Sequence, residues 1–147
     1  MAAMARADVA VEINLTSNDV ILGVTGDEHP FSSYRRQGVP LTLSTDDEGV
    51  SRIDLTHEYQ RAVQTYDLSY QALKTLSRNA LAYSFLPGAE LVRDTAAGIL
   101  APACQGASPG RRELPPRCRE LLETSHKARL QWELERRFAA FERGFGD

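Results

Sequence analysis

The chain predicts an α/β fold, and three observations carry that expectation. Two short segments, Val9 to Thr16 and Leu41 to Thr45, alternate apolar and polar residues with the period of a strand. Between them Pro30 and Gly38 mark the start and the end of a helix, and a strand, a helix and a strand in that order imply parallel pairing. Further along, apolar residues recur at steps of three and four, the period of helices that bury one face.

Met1 to Asp8 is Ala-rich, has no helix cap and is too short for a signal peptide. It leads straight into the first strand, as expected of a piece of a larger fold. In that strand Val9, Val11, Ile13 and Leu15 share one face, while Glu12, Asn14 and Thr16 share the other. Thr16-Ser17-Asn18-Asp19 closes it with residues suited to turns, where Ser17 and Asn18 either cap backbone groups or reach a ligand. Gly23 and Gly26 mark a loop. His29, just before Pro30, suits a surface or capping role at the start of the next helix.

In the second strand Leu41, Leu43 and Thr45 face one way, and Thr42, Ser44 and Asp46 the other. Asp46 and Asp47 stand where this strand runs out. Strands avoid Asp, and adjacent acids repel each other unless solvated, protonated or set against a cation. The pair is therefore either a buried site or a solvated acidic turn. Both acids reach one pocket only if the pleat breaks here, which the turn-prone Glu48-Gly49 favours.

Asp54 is placed to cap a helix running to Tyr66, with Leu55, Tyr59, Ala62 and Val63 on one face. His57 lies on it one turn from Arg61, facing solvent or supporting a site. Ser69 is placed to cap a second helix through Phe85, with Ala72, Leu73, Leu76, Ala80, Leu81 and Tyr83 as its apolar stripe and Pro87-Gly88 as its stop. Tyr59, Tyr66, Tyr70 and Tyr83 are expected in the core or at its rim. Arg78 and Asn79 form either a buried polar bridge or a ligand contact.

Residues 95–117 shift to Gly, Pro, Ala and Ser, the composition of a loop or linker. Cys104 and Cys118 bracket most of it, and a disulfide there would contribute about 3 kcal/mol. A bond implies a periplasmic or secreted home; free thiols imply the cytoplasm. From Pro116 one long helix is expected, so that residues 118–147 form a separate region. Its stripe is Leu130, Leu134, Phe138, Phe141 and Phe145, with Trp132 beside it and supporting pairs Glu123 with Lys127 and Glu133 with Arg137. The stripe packs on the rest of the chain, on a partner helix or on a second copy.

A formal net charge of -3 and scattered arginine pairs interleaved with acids argue against a nucleic-acid partner, and no apolar run is long enough for a membrane partner. His29, His57 and His126 show neither H-x-H nor H-E-x-x-H spacing, so none stands out as a zinc ligand. His126, near Lys127 and Arg129, is expected at the surface. The two cysteines lack the P-C-x-x-C arrangement of the cytidine-deaminase type of zinc site.

Taken in order, Val11 to Asn18 (VEINLTSN), His29-Pro30-Phe31, Gly38-Val39-Pro40, Ser44-Thr45-Asp46-Asp47, Ser77-Arg78-Asn79-Ala80 and Ser84-Phe85-Leu86 resemble the C-terminal part of the adenosine deaminase family. The likeness runs to Gly88, with a looser one in Lys127 to Phe141 to the extended tails of some bacterial members. It implies the C-terminal portion of a TIM (β/α)8 barrel, meaning the last two strands and following helices in residues 1–94, plus a C-terminal helical extension. Such barrels take about 250 residues. The earlier strands, which carry most zinc-binding histidines and the proton-moving glutamate of the family, are not in this chain.

The resemblance further implies zinc as the cofactor, one per complete barrel and not held by this chain alone. Asp46 would be the metal ligand and Asp47 would accept a hydrogen bond from the purine ring, both as catalytic groups in the hydrolysis of adenosine to inosine. The isolated chain is then expected to lack deaminase activity and to need the missing N-terminal barrel half or a complementing chain. Alternatives are a sibling deaminase for another aminopurine or nucleotide, and a non-enzymatic helical interaction module that retains the motif.

Overall fold

In the computed structural model, which describes residues 1–111 and 113–145, the first strand is shorter than its alternation suggests. Strand β1 covers Val11–Ile13 and pairs in parallel with β2, Leu41–Leu43, in the register Val11 to Leu41, Glu12 to Thr42 and Ile13 to Leu43. Leu15, expected on the strand, instead opens helix α2, Leu15–Leu22. The cause lies elsewhere in the chain: the Glu58 carboxyl group takes the N–H groups of Leu15 and Thr16, which turns the backbone into a helix immediately after Asn14. Before β1, a helix α1 (Ala2–Arg6) forms where none was expected, without a side-chain cap.

Two compact units make up the chain, Met1–Ala80 and Leu81–Asp147. In the first, α2 ends at Gly23 in the left-handed conformation, and α3 (Phe31–Arg36) follows Pro30 as the sequence predicts. Beyond β2 come a single turn α4 (Glu48–Ser51), then α5 (Leu55–Tyr66) and α6 (Tyr70–Ala82). Asp54 and Ser69 cap the last two through their side chains, to His57 N at 2.9 Å and Ala72 N at 3.3 Å. Ile13, Leu15, Phe31, Val39, Leu41, Leu43, Ala62, Leu68 and Leu76 form the core of this unit. Each of its larger aliphatic side chains stabilises the fold by about 1.5–3 kcal/mol.

The helix faces differ from their expected stripes at Leu55, Glu58 and Ala80, while Arg78 and Asn79 bear out a buried polar role. Leu55 and Ala80 are exposed, whereas Glu58, Arg78 and Asn79 are buried. Asn79 proves to be a polar bridge: its Nδ2 donates to the Leu41 carbonyl oxygen at 2.7 Å and ties α6 to β2.

In the second unit, β3 (Val92–Asp94) and β4 (Ile99–Leu100) form an antiparallel pair, followed by a 3-10 turn at Pro102–Cys104. The stretch 95–117 thus carries ordered elements of its own. Cys104 and Cys118 are bonded and fully buried, in a core with Leu91, Val92, Ala128 and Trp132.

The tail is two helices, α7 (Pro116–Thr124) and α8 (His126–Arg143), where one was expected. Ser125 interrupts them: its Oγ accepts from Ala128 N at 3.0 Å and donates to the Ala89 carbonyl oxygen at 2.6 Å. Gly88 permits this approach, with φ of +104° and space so tight that a Cβ would lie 2.3 Å from Ser125 Oγ. The break also redirects Lys127, whose Nζ donates to Ala82 O and faces Glu90 rather than Glu123. Glu133 and Arg137 do pair, at 3.0 Å. The buried residues of α8 are Lys127, Ala128, Gln131, Trp132 and Glu135, while Phe141 and Phe145 of the expected stripe are exposed. Gln131 Oε1 explains part of this, accepting from Leu91 N at 2.7 Å. Arg112 and the last two residues of the expected tail helix lie outside the described residues.

Candidate functional site

Parallel pairing puts the carboxyl ends of β1 and β2 side by side, closed by Ser44 N donating to Ile13 O at 3.0 Å. Beyond that point the two chains supply the first turn of α2 and the acid pair. Asp46 adopts φ of +53°, so the pleat breaks at the position expected. Asp47 then occupies the cap position of α4 without a side-chain cap bond. Neither acid is buried, contrary to one of the two expectations: Asp46 is exposed and Asp47 half-buried. Access to water is what lets two adjacent carboxyl groups coexist here.

Ser17 and Asn18 do not cap backbone groups. Ser17 Oγ, itself buried, donates to Asp46 Oδ2 at 2.8 Å and leaves Asp46 Oδ1 to other partners. Asn18 meets His29 Nε2 at 3.0 Å. His29 is buried, not at the surface, and its Nδ1 accepts from Phe31 N at 3.1 Å at the start of α3. With Nδ1 accepting, the neutral ring carries its proton on Nε2, the nitrogen that faces the Asn18 side-chain amide. Burial holds the His29 imidazole below its ordinary pKa of 6.5, the Arg61 cation adds to this and Glu58 opposes it.

Arg61 forms an ion pair with Asp19 and donates to Thr16 Oγ1 and Thr25 Oγ1, both at 3.3 Å. A narrow cleft lies here, lined by Thr25, His29, Arg61, Thr65 and Tyr66, and it includes neither acid. Glu58, fully buried, is the group that sequence reasoning missed. The signal was present: position 58 falls one turn before Ala62 on the stripe expected to be apolar.

Among the described residues, no three His, Cys, Asp or Glu side chains converge on a point that could hold a metal ion. Asp46 Oδ1 fits zinc as one oxygen donor, but His29 has both ring nitrogens engaged, and His57 and His126 are exposed. The donors among the described residues therefore do not converge on a zinc site.

A parallel strand–helix–strand unit with two adjacent acids following its second strand defines a class, an α/β protein. The adenosine deaminase family profile matches residues 1–94. The chain belongs to the adenosine deaminase family. It is 40% identical over 85 residues to the N6-methyl-AMP deaminase of Danio rerio, covering 56% of this chain and 24% of that protein. It is 35% identical over 97 residues to the aminodeoxyfutalosine deaminase of Streptomyces coelicolor, covering 64% and 25%. With the adenosine deaminase of Shewanella loihica the figures are 36% over 88 residues, 59% and 27%. The chain spans about a quarter of the length of these curated relatives. No solved structure matches it. No described helix is long and apolar enough to cross a membrane.

Proposed function

We propose that residues 1–94 supply the last two strands and following helices of a (β/α)8 barrel that deaminates an aminopurine nucleoside hydrolytically, with adenosine converted to inosine. Residues 95–117 then connect this portion to a helical extension in 118–147. The single observation that carries the reading is Asp46 at the shared end of two parallel strands, one of its oxygens held by Ser17. Asp46 serves as one ligand of zinc, whose contribution when bound is Lewis acidity toward water. Asp47 orients the purine by accepting a hydrogen bond from its ring. The remaining donors and the proton-transfer group come from a barrel half supplied by further sequence or by a complementing chain.

Two features support the need for completion. Each strand has a neighbour on one side only among the described residues, and Glu12 is exposed on the polar face of the sheet. The names of the relatives favour a second reading within the same chemistry, a sibling that acts on another aminopurine or a nucleotide. The Cys104–Cys118 bond supports an oxidising compartment.

A chimera tests the proposal. Residues 1–94 replace the matching segment of an adenosine deaminase, and release of ammonia is assayed with adenosine, its N6-methyl form and the corresponding monophosphates. The chimera is expected to be active and zinc-loaded, and Asp46→Asn to lose both properties. Asp47→Asn is expected to retain zinc while losing turnover by at least about a hundredfold, the cost of one misplaced orienting contact. A folded chimera with full activity in both variants overturns the reading.

A further inference from the structure

Glu58 reaches across from α5 to hold the start of α2. Its Oε2 accepts from Leu15 N at 2.8 Å, and Thr16 N lies 3.2 Å and 3.3 Å from its two oxygens. These are two of the N–H groups that a helix start leaves without internal partners. One turn further along α5, Arg61 grips Thr16 Oγ1 and Asp19, so the same helix holds the first turn of α2 by backbone and by side chain. Ser17 is the next residue, and it delivers the hydrogen bond to Asp46.

The local alternative is present but unused. Asn14 stands at the cap position of α2, a residue type well suited to take these N–H groups, yet it makes no cap bond and its buried Oδ1 has no partner among the described residues. A local cap stabilises a helix without relating it to anything else. A carboxyl group from a distant helix relates α2 to α5, at the desolvation cost of burying it completely. We propose that Glu58 is a positioning residue for the acid pair: by seating the first turn of α2, it sets Ser17 Oγ on Asp46 Oδ2 and thereby determines which carboxylate oxygen Asp46 presents. This rests on the assignment of Asp46 as a site residue. A displacement of about an ångström at Thr16 takes the 2.8 Å contact out of hydrogen-bond range.

Carbon-13 NMR of the full chain tests it at one fixed pH and without metal. Ser17→Ala defines the Asp46 Cγ shift that follows loss of the hydrogen bond, and Asp47 Cγ is the internal reference. Glu58→Gln sets an amide N–H against the backbone donors, and it is expected to carry Asp46 Cγ most of the way to the Ser17→Ala position while Asp47 Cγ stays in place. Glu58→Asp, which keeps the charge and shortens the reach, is expected to give a smaller move in the same direction. A folded Glu58→Gln chain with Asp46 Cγ at its original shift overturns the proposal. Should that variant fail to fold, Glu58→Asp decides: displaced Leu15 and Thr16 amides with an unmoved Asp46 Cγ overturn it equally. The zinc arm of the chimera judges the role of Asp46 separately.

Discussion

Reduction of the Cys104–Cys118 bond is expected to destabilise the second unit selectively and by a calculable amount. The bond closes a loop of separation 14, which in the chain-entropy account is worth about 3 kcal/mol. In a unit of this size each kcal/mol moves the midpoint by about 4–8 °C, so the reduced form should melt about 12–24 °C lower. Trp132, the single tryptophan, lies in the same core and reports this unit directly by fluorescence. The assay compares melts with and without a phosphine reductant, alongside the Cys104→Ala, Cys118→Ala double variant. Alanine is preferred to serine because both positions are fully buried and a hydroxyl there would need a partner. The double variant should melt at or below the reduced midpoint and ignore the reductant. Oxidised and reduced midpoints within about 3 °C of each other would refute the loop-entropy reasoning.

Further outcomes follow from the same contacts. Leu43→Ala, in the core beside β1, should lose about 2–5 kcal/mol in urea titration. His29 has a lowered folded-state pKa, so the unfolded chain binds the extra proton: its contribution is complete above pH 6.5 and declines as pH falls below that value. Stability measured from about pH 7 down to about pH 5, above the ordinary carboxylate range, should slope downward in the native chain and flatten in His29→Asn. Gly88→Ala places a Cβ against Ser125 at a left-handed φ and should cost the second unit at least about 2 kcal/mol, seen as an early Trp132 transition.

The legible parts of the fold were those whose cause is local. Asp54 and Ser69 announce helix starts because capping needs one side chain and the next few amides, and Pro30 and Gly38 delimit α3 by backbone geometry alone. Alternation in Leu41 to Leu43 gave the right buried face. What escaped was set at a distance. β1 stops at Ile13 because of a carboxyl group in α5, and the tail breaks at Ser125 because Gly88 and Ala89 receive it. On α8, a Gln side chain feeding the β3 backbone outweighed a run of leucines and phenylalanines. At the site, the acid pair was visible by its incongruity in a strand, and Ser17 was in view with the wrong partner. Glu58 was hidden because a charged residue on a helix ordinarily belongs to solvent.

The left-handed backbone of Asp46 constrains how its chemistry can be interrogated. Aspartate and asparagine tolerate that conformation through their short polar side chains, whereas alanine there incurs about 1–2 kcal/mol of steric strain. An alanine scan would thus confuse a bent main chain with a missing oxygen, and a glutamate would change reach and backbone preference together. Asparagine alone alters the charge while leaving the bend in place, which makes it the one informative probe of that carboxylate.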